Sequence, residues 1–150
     1  MKTLIALFVA LSALAAAVPA TAADKIQLAQ APTAAPQKYR VVIQVSDPDP
    51  RLWAQAINYS ENLPAELGKE NVEVEIVALG HGIGLLKLDS PQGSRIPDAL
   101  KRGVKISACQ VTMKRQKLTK DDMLPDIGYV PGGLVRILEL QRKGWNYIKG

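Results

Sequence analysis

The chain reads as an α/β protein, a three-layer α/β/α domain on a five-stranded, mainly parallel sheet. Two observations predict this. Short β-branched runs alternate with helical segments in the order β-α-β-α-β-α-β-α-β, the pattern that right-handed crossovers make parallel. The chain's only histidine, His81, and its only cysteine, Cys109, both fall just after predicted strands. That is the sheet edge where open α/β folds bind ligands.

The elements follow in order. Tyr39 to Val45 is a β-branched run ended by Ser46-Asp47-Pro48-Asp49-Pro50, a strand and a turn. Asp49 is placed to cap a helix with Pro50 in its first position, where a missing N–H costs nothing. Trp53, Ala56, Ile57 and Leu63 recur at helical spacing, Pro64 is expected to kink or restart the helix, and Gly68 to stop it. Val72 to Leu79 alternates and then runs apolar, as a central strand does. Gly80-His81-Gly82-Ile83-Gly84 and the apolar Leu85 to Leu88 come next. Ser94 to Arg102 is predicted helical, with Ser94 as its cap and Gly103 as its end. Val104 to Ala108 is a strand, Gln110 to Leu118 a helix, and Ile127 to Val130 a short strand. Leu134 to Lys143 is a helix with Leu134, Ile137, Leu138 and Gln141 on one stripe, and Trp145 to Ile148 is the last strand.

Before these elements, Lys2, the apolar Leu4 to Val18 and the small residues Ala20-Thr21-Ala22 have the form of a cleavable signal peptide. The expected organisation is a signal peptide over 1–22, a disordered Ala/Gln/Pro-rich leader over 23–38 and one domain over 39–150. The expected location is the periplasm, without membrane attachment. A lone cysteine in such a compartment has no intramolecular disulfide partner. It is either a small buried residue or a thiol kept for reaction.

The net charge is +5. Its excess gathers in Lys101, Arg102, Lys105, Lys114, Arg115, Lys117 and Lys120, a stretch without an acidic residue. Such a face draws anions or an acidic partner, or is simply a solvated surface. The lack of neighbouring aromatics argues against nucleic acid. The glycines after the second strand do not complete a dinucleotide fingerprint, because position 85 is leucine, so they fit a tight turn. One cysteine and one histidine, with Asp47 as a third candidate, make a poor zinc set. No metal and no cofactor is expected. Cys109 at a helix start, near cations and with His81 as a base or pocket residue, would have a stabilised thiolate. Tyr129, Pro131, Gly132 and Gly133 form a loop before a helix whose N–H groups could hold an anion.

Gly103-Val104-Lys105-Ile106-Ser107-Ala108-Cys109 with Thr112-Met113-Lys114-Arg115 resembles the cysteine segment of the DsrE/DsrF-like family. Val72 to Gly80, Met123 to Gly133 and Gln141 to Ile148 are similar to the exported branch of that family. The resemblance spans Tyr39 to Gly150. It implies a five-stranded parallel α/β/α domain that assembles into oligomers, and a cysteine that accepts sulfane sulfur as a persulfide and passes it on. Carried over to this chain, Cys109 is the persulfide candidate of a sulfurtransferase-like sulfur carrier. Asp47, Thr112, Lys114, Arg115, Tyr129, Gly132 and Gly133 are candidate substrate-binding residues. The partners expected are further copies of the chain and a sulfur donor or acceptor, either a protein or a small sulfur anion. The residues after Cys109 depart from the small, alanine-rich run of the relay proteins. The alternative is a non-catalytic oligomeric binding module with Cys109 in its core.

Overall fold

The β-branched runs form strands and the glycines and prolines between them set the helix limits. The structure, a computed structural model, describes residues 37–150. The expected signal peptide and nearly all of the expected leader lie outside the described residues. The strands are β1 (Tyr39–Val45), β2 (Val72–Ala78), β3 (Lys105–Cys109), β4 (Gly128–Val130) and β5 (Asn146–Lys149). They form one sheet in the order β4-β3-β2-β1-β5, every neighbouring pair parallel. The register sets Ile43 beside Ile76 and Ile148, Ile76 beside Ile106, and Cys109 beside Val130.

Among the described residues, four helices cover the sheet: α1 (Pro50–Leu67), α2 (Ile96–Lys101), α3 (Gln110–Arg115) and α4 (Gly133–Arg142). One sheet face carries Val41, Ile43, Val45, Val74, Ile76, Ala78, Ile106 and Ala108. It packs against Trp53, Ala56 and Ile57 of α1, Ile96 and Ala99 of α2, and Met113 of α3. The opposite face is closed by α4 alone among the described helices, with Ile137 and Leu140 set on Val42 and Val77 beside Trp145. Each such fully buried aliphatic side chain contributes about 1.5–3 kcal/mol. This is the expected three-layer α/β/α domain.

Several details correct the sequence expectations. α1 runs through Pro64 without restarting, because Trp53, Ala56, Ile57 and Ser60 form one buried face that holds the helix to the sheet. It ends where Gly68 takes a φ of +89°. Ser94 caps nothing. Gly93–Arg95 is a single 3-10 turn, and α2 starts at Ile96 with Pro97 in its first turn, where proline is preadapted. α3 stops at Arg115, because Lys117 enters the left-handed region (φ +57°) and the Leu118 N–H turns back to the Met113 carbonyl at 2.9 Å. The stripe on α4 is rotated from its expected place. Ile137 and Leu140 are buried, whereas Leu134 and Leu138 are exposed. Apolar residues at 134, 135, 137, 138 and 140 cover more than half of the helix, so spacing alone did not choose the buried side. Trp145 is core, with Lys105 Nζ 6.0 Å from its ring.

The glycines after β2 make a turn, as expected. Gly80 takes a φ of +56°, and a Cβ on Gly82 would run into the Val45 carbonyl. The segment Gly80–Leu86 winds as a 3-10 helix that buries Ile83, Leu85 and Leu86 and turns His81 outward.

A candidate thiolate site between two helices

Alternation along β3 sends Ile106 and Ala108 to the α1 side and Ser107 and Cys109 to the α4 side. Cys109 is the last residue of β3 and the capping residue of α3, with extended backbone (φ −76°, ψ 112°). There α4 begins beside it. The Gly133 N–H donates to Cys109 Sγ at 3.1 Å. Glycine favours this approach. A Cβ on residue 133 would stand 3.1 Å from both Cys109 Cβ and Leu79 Cβ.

Thr112, one turn into α3, completes the surroundings of the sulfur. Its Oγ1 accepts the Gly80 N–H at 3.0 Å, and Gln116 Nε2 donates to the Gly80 carbonyl at 3.0 Å. With its oxygen so engaged, the Thr112 hydroxyl has its proton free to point at the sulfur. Burial pushes the Cys109 thiol up. The Thr112 hydroxyl and the N–H groups of Gly133, Thr112 and Val111 outweigh it, so the thiol lies below its ordinary value. Cys109 is 4 % exposed and opens on a cavity of about 310 Å³. The polar rim of this cavity is Gly80, Thr112, Arg115, Gly132 and Gly133, and Leu79, Val111, Leu134 and Val135 form its apolar walls.

Of the residues expected in the site, Cys109, Thr112, Arg115, Gly132 and Gly133 converge. The others do not. His81 is exposed and stands outside the lining, so no cysteine–imidazole pair forms. Asp47 is tied to Lys149 at 3.3 Å, at the end of β1. Lys114 is exposed beside the cavity and does not line it. Tyr129 packs into the core of the α1 side, beneath Lys120 Nζ at 4.9 Å. Its phenol is pushed up by burial and by Asp121. The basic stretch also divides. Lys101, Arg102 and Lys105 pair with Asp98, Glu61 and Glu73, which leaves Lys114, Arg115, Lys117 and Lys120 without a carboxylate within 4.0 Å among the described residues. No three His, Cys, Asp or Glu side chains gather as metal ligands among the described residues.

The sequence reading missed Leu79, Val111, Leu134 and Val135. The apolar excess on α4 was a usable signal, since a helix with so wide an apolar arc has a second surface to present. It also missed Glu75, which is 1 % exposed and bound by Arg136 through two contacts, Nε to Oε1 at 2.9 Å and Nη2 to Oε2 at 2.7 Å.

Comparison with known proteins adds three findings. The DsrE/DsrF-like family model matches residues 6–149. A protein of unknown function from Methanobacterium thermoautotrophicum is 31% identical, with a TM-score of 0.71, over 75% of this chain and 100% of its own. A conserved protein of unknown function from Bacteroides thetaiotaomicron has the same fold at 15% identity, with a TM-score of 0.62, over 74% of this chain and 94% of its own. No curated protein matches.

Proposed function

The chain belongs to the DsrE/DsrF-like family, and on that premise we propose that Cys109 binds or transfers sulfane sulfur as a persulfide. The single observation that carries this is the Cys109 sulfur, which receives the Gly133 N–H at 3.1 Å and faces an open cavity of about 310 Å³. A donor hydrogen bond to sulfur favours the anion, the nucleophilic form. The thiolate attacks the outer, sulfane sulfur of a thiosulfate or polysulfide chain. A new S–S bond forms, the old one breaks, and sulfite or the shortened polysulfide leaves with the electron pair. No external oxidant or reductant enters. An acceptor thiolate reverses the step by attacking the outer sulfur of the persulfide and releasing Cys109. Arg115 at the rim would hold the donor's negative charge, and Lys114 and Lys117 would draw it in.

Intact-protein mass spectrometry after incubation with polysulfide or thiosulfate tests this. Added sulfur in the wild type and none in Cys109→Ser is expected, and equal masses in both would overturn it. The rival, a binding module with Cys109 as a core residue, is favoured by the low exposure of the side chain. It predicts no reaction of Cys109 with a thiol reagent in the native protein.

The same proposal includes assembly into homo-oligomers and export to the periplasm. Leu134, Val135 and Leu138 on α4 are 58–61% exposed, next to Val111 at 47%. Exposed apolar residues gathered in this way favour a protein contact, and a second copy seated there would roof the cavity. Light scattering that finds only monomer mass at micromolar concentration would overturn assembly. Export rests on Lys2, the apolar Leu4 to Val18 and Ala20-Thr21-Ala22, and N-terminal sequencing of the mature protein checks it.

A further inference from the structure

We infer that Glu75 is a positioning residue for the Cys109 thiolate, acting through Arg136 and the first turn of α4. The inference rests on the thiolate reading above and concerns the same site. Glu75 lies in the middle of β2, on the face that α4 covers, and is 1 % exposed. A buried carboxylate is costly and is a weak source of stability even when paired, so its place under α4 calls for another role.

Its contacts supply one. Arg136 grips both carboxylate oxygens, at 2.9 and 2.7 Å, and the Ser107 hydroxyl donates to Oε1 at 3.4 Å. Ser107 lies two residues before Cys109 on β3. The Arg136 N–H makes the first bond of α4, to the Gly132 carbonyl at 2.9 Å, and so closes the turn that contains Gly133. Gly133 in turn donates to Cys109 Sγ. The contacts form a closed ring: Glu75, Arg136, the α4 first turn, Gly133, Cys109, Ser107 and back to Glu75. One carboxylate therefore fixes both the helix start and the strand end whose separation sets the N–H···S bond. The steric limit on residue 133 makes the spacing tight, because only the Cys109 and Leu79 side chains stand between Gly133 and the sheet there.

Electrostatics and positioning predict opposite signs, which makes the inference testable. Among the described residues, Arg115 is the charged residue that lines the Cys109 cavity, and no acidic residue does so. Glu73, Lys105 and Asp126 lie toward the other end of the sheet, around Glu75 and its recess. By charge alone, Glu75→Gln removes an anion and leaves the Arg136 cation with only the more distant Glu139 and Glu73, so the thiol titration should fall. By positioning, the first turn of α4 loosens, the sulfur loses part of its donor, and the titration should rise.

The experiment measures alkylation rate against pH for the wild type, Glu75→Gln and the charge-neutral pair Glu75→Gln with Arg136→Gln. Near-UV circular dichroism of Trp53 and Trp145 checks the fold. The expected result is a raised thiol titration in both variants, with alkylation at neutral pH slowed by about threefold to tenfold, a partial loss of one charge-assisted hydrogen bond. The double variant leaves no net charge change, so a rise there is positional, and it is the one read if the single variant does not fold. An unchanged or lowered titration in a folded variant overturns the inference and leaves the sulfur reading standing. A wild-type thiol that titrates at its ordinary value overturns the thiolate reading and this inference together.

Discussion

Replacing Gly133 with alanine tests the contact on which the site depends. A helix ordinarily gains about 1 kcal/mol from alanine in place of glycine, but that figure applies to the helix interior. Gly133 is the first residue of α4 and has an ordinary φ, so the gain there is a few tenths at most. Against it stands crowding. The new methyl would meet Cys109 Cβ and Leu79 Cβ at 3.1 Å and Cys109 Sγ at 3.4 Å. All three atoms belong to Cys109 and Leu79, at the carboxyl ends of β3 and β2, so α4 must move instead. Inserting a methyl into packed surroundings costs about 1–3 kcal/mol, and the helix gain offsets only a few tenths of this. Movement of α4 also carries the Gly133 N–H away from the sulfur, so the thiol titration should rise. Urea denaturation at acid pH, where the thiol is neutral, isolates the steric part, and alkylation rate against pH reports the sulfur. A variant as stable as the wild type with the same thiol titration would refute the close approach.

Three other outcomes follow from the same geometry. Thr112→Val removes the acceptor of the part-buried Gly80 N–H, so stability should fall by about 0.5–1.5 kcal/mol and the thiol titration should rise. Thr112→Ser keeps the hydroxyl, so its titration should stay near the wild-type value; a valine variant that titrates like wild type refutes the role given to the hydroxyl. Charge reversal at Lys114 and Arg115 should slow reaction with thiosulfate far more than with a neutral reagent after correction for thiol ionisation, and added salt should shrink the difference; equal slowing would show that they only hold α3. The lowered thiol also makes stability depend on pH. A group whose folded pKa is depressed adds stability above its unfolded value and loses it as pH falls through the folded value. The stability advantage of wild type over Cys109→Ser should therefore grow between those two pH values, and an advantage constant with pH refutes the shift.

What the sequence made legible was local. The V-x-V-x-I run of β2, the Asp49-Pro50 start of α1 and the Gly-Gly pair before α4 depend on neighbours within a turn or two, and their elements lie where expected to within a few residues. Cys109 and Gly133 could each be assigned to the carboxyl edge by strand position. His81 was misjudged because edge position alone says nothing of direction, and the Gly80 conformation turns it away. Glu75 was invisible for a different reason. In Val72-Glu73-Val74-Glu75 it reads as a polar residue on a solvated face, and only the sheet order places α4 over it. Its partner Arg136 lies 61 residues along the chain. Long-range ion pairs leave no periodicity to find.

The position of β1 between β2 and β5 ties the first strand of the domain to its last as the chain folds. β1 is among the first residues of the domain to emerge, yet the strand that closes its second edge, Asn146–Lys149, comes last. Until then one edge of β1 is an open row of N–H and C=O groups, a template for pairing with another nascent chain. Because α4 sits between β4 and β5, the Gly133 amide reaches the sulfur only in that same final stage. The thiol therefore lacks the Gly133 N–H, one of its donors, until α4 docks on the sheet with the last strand.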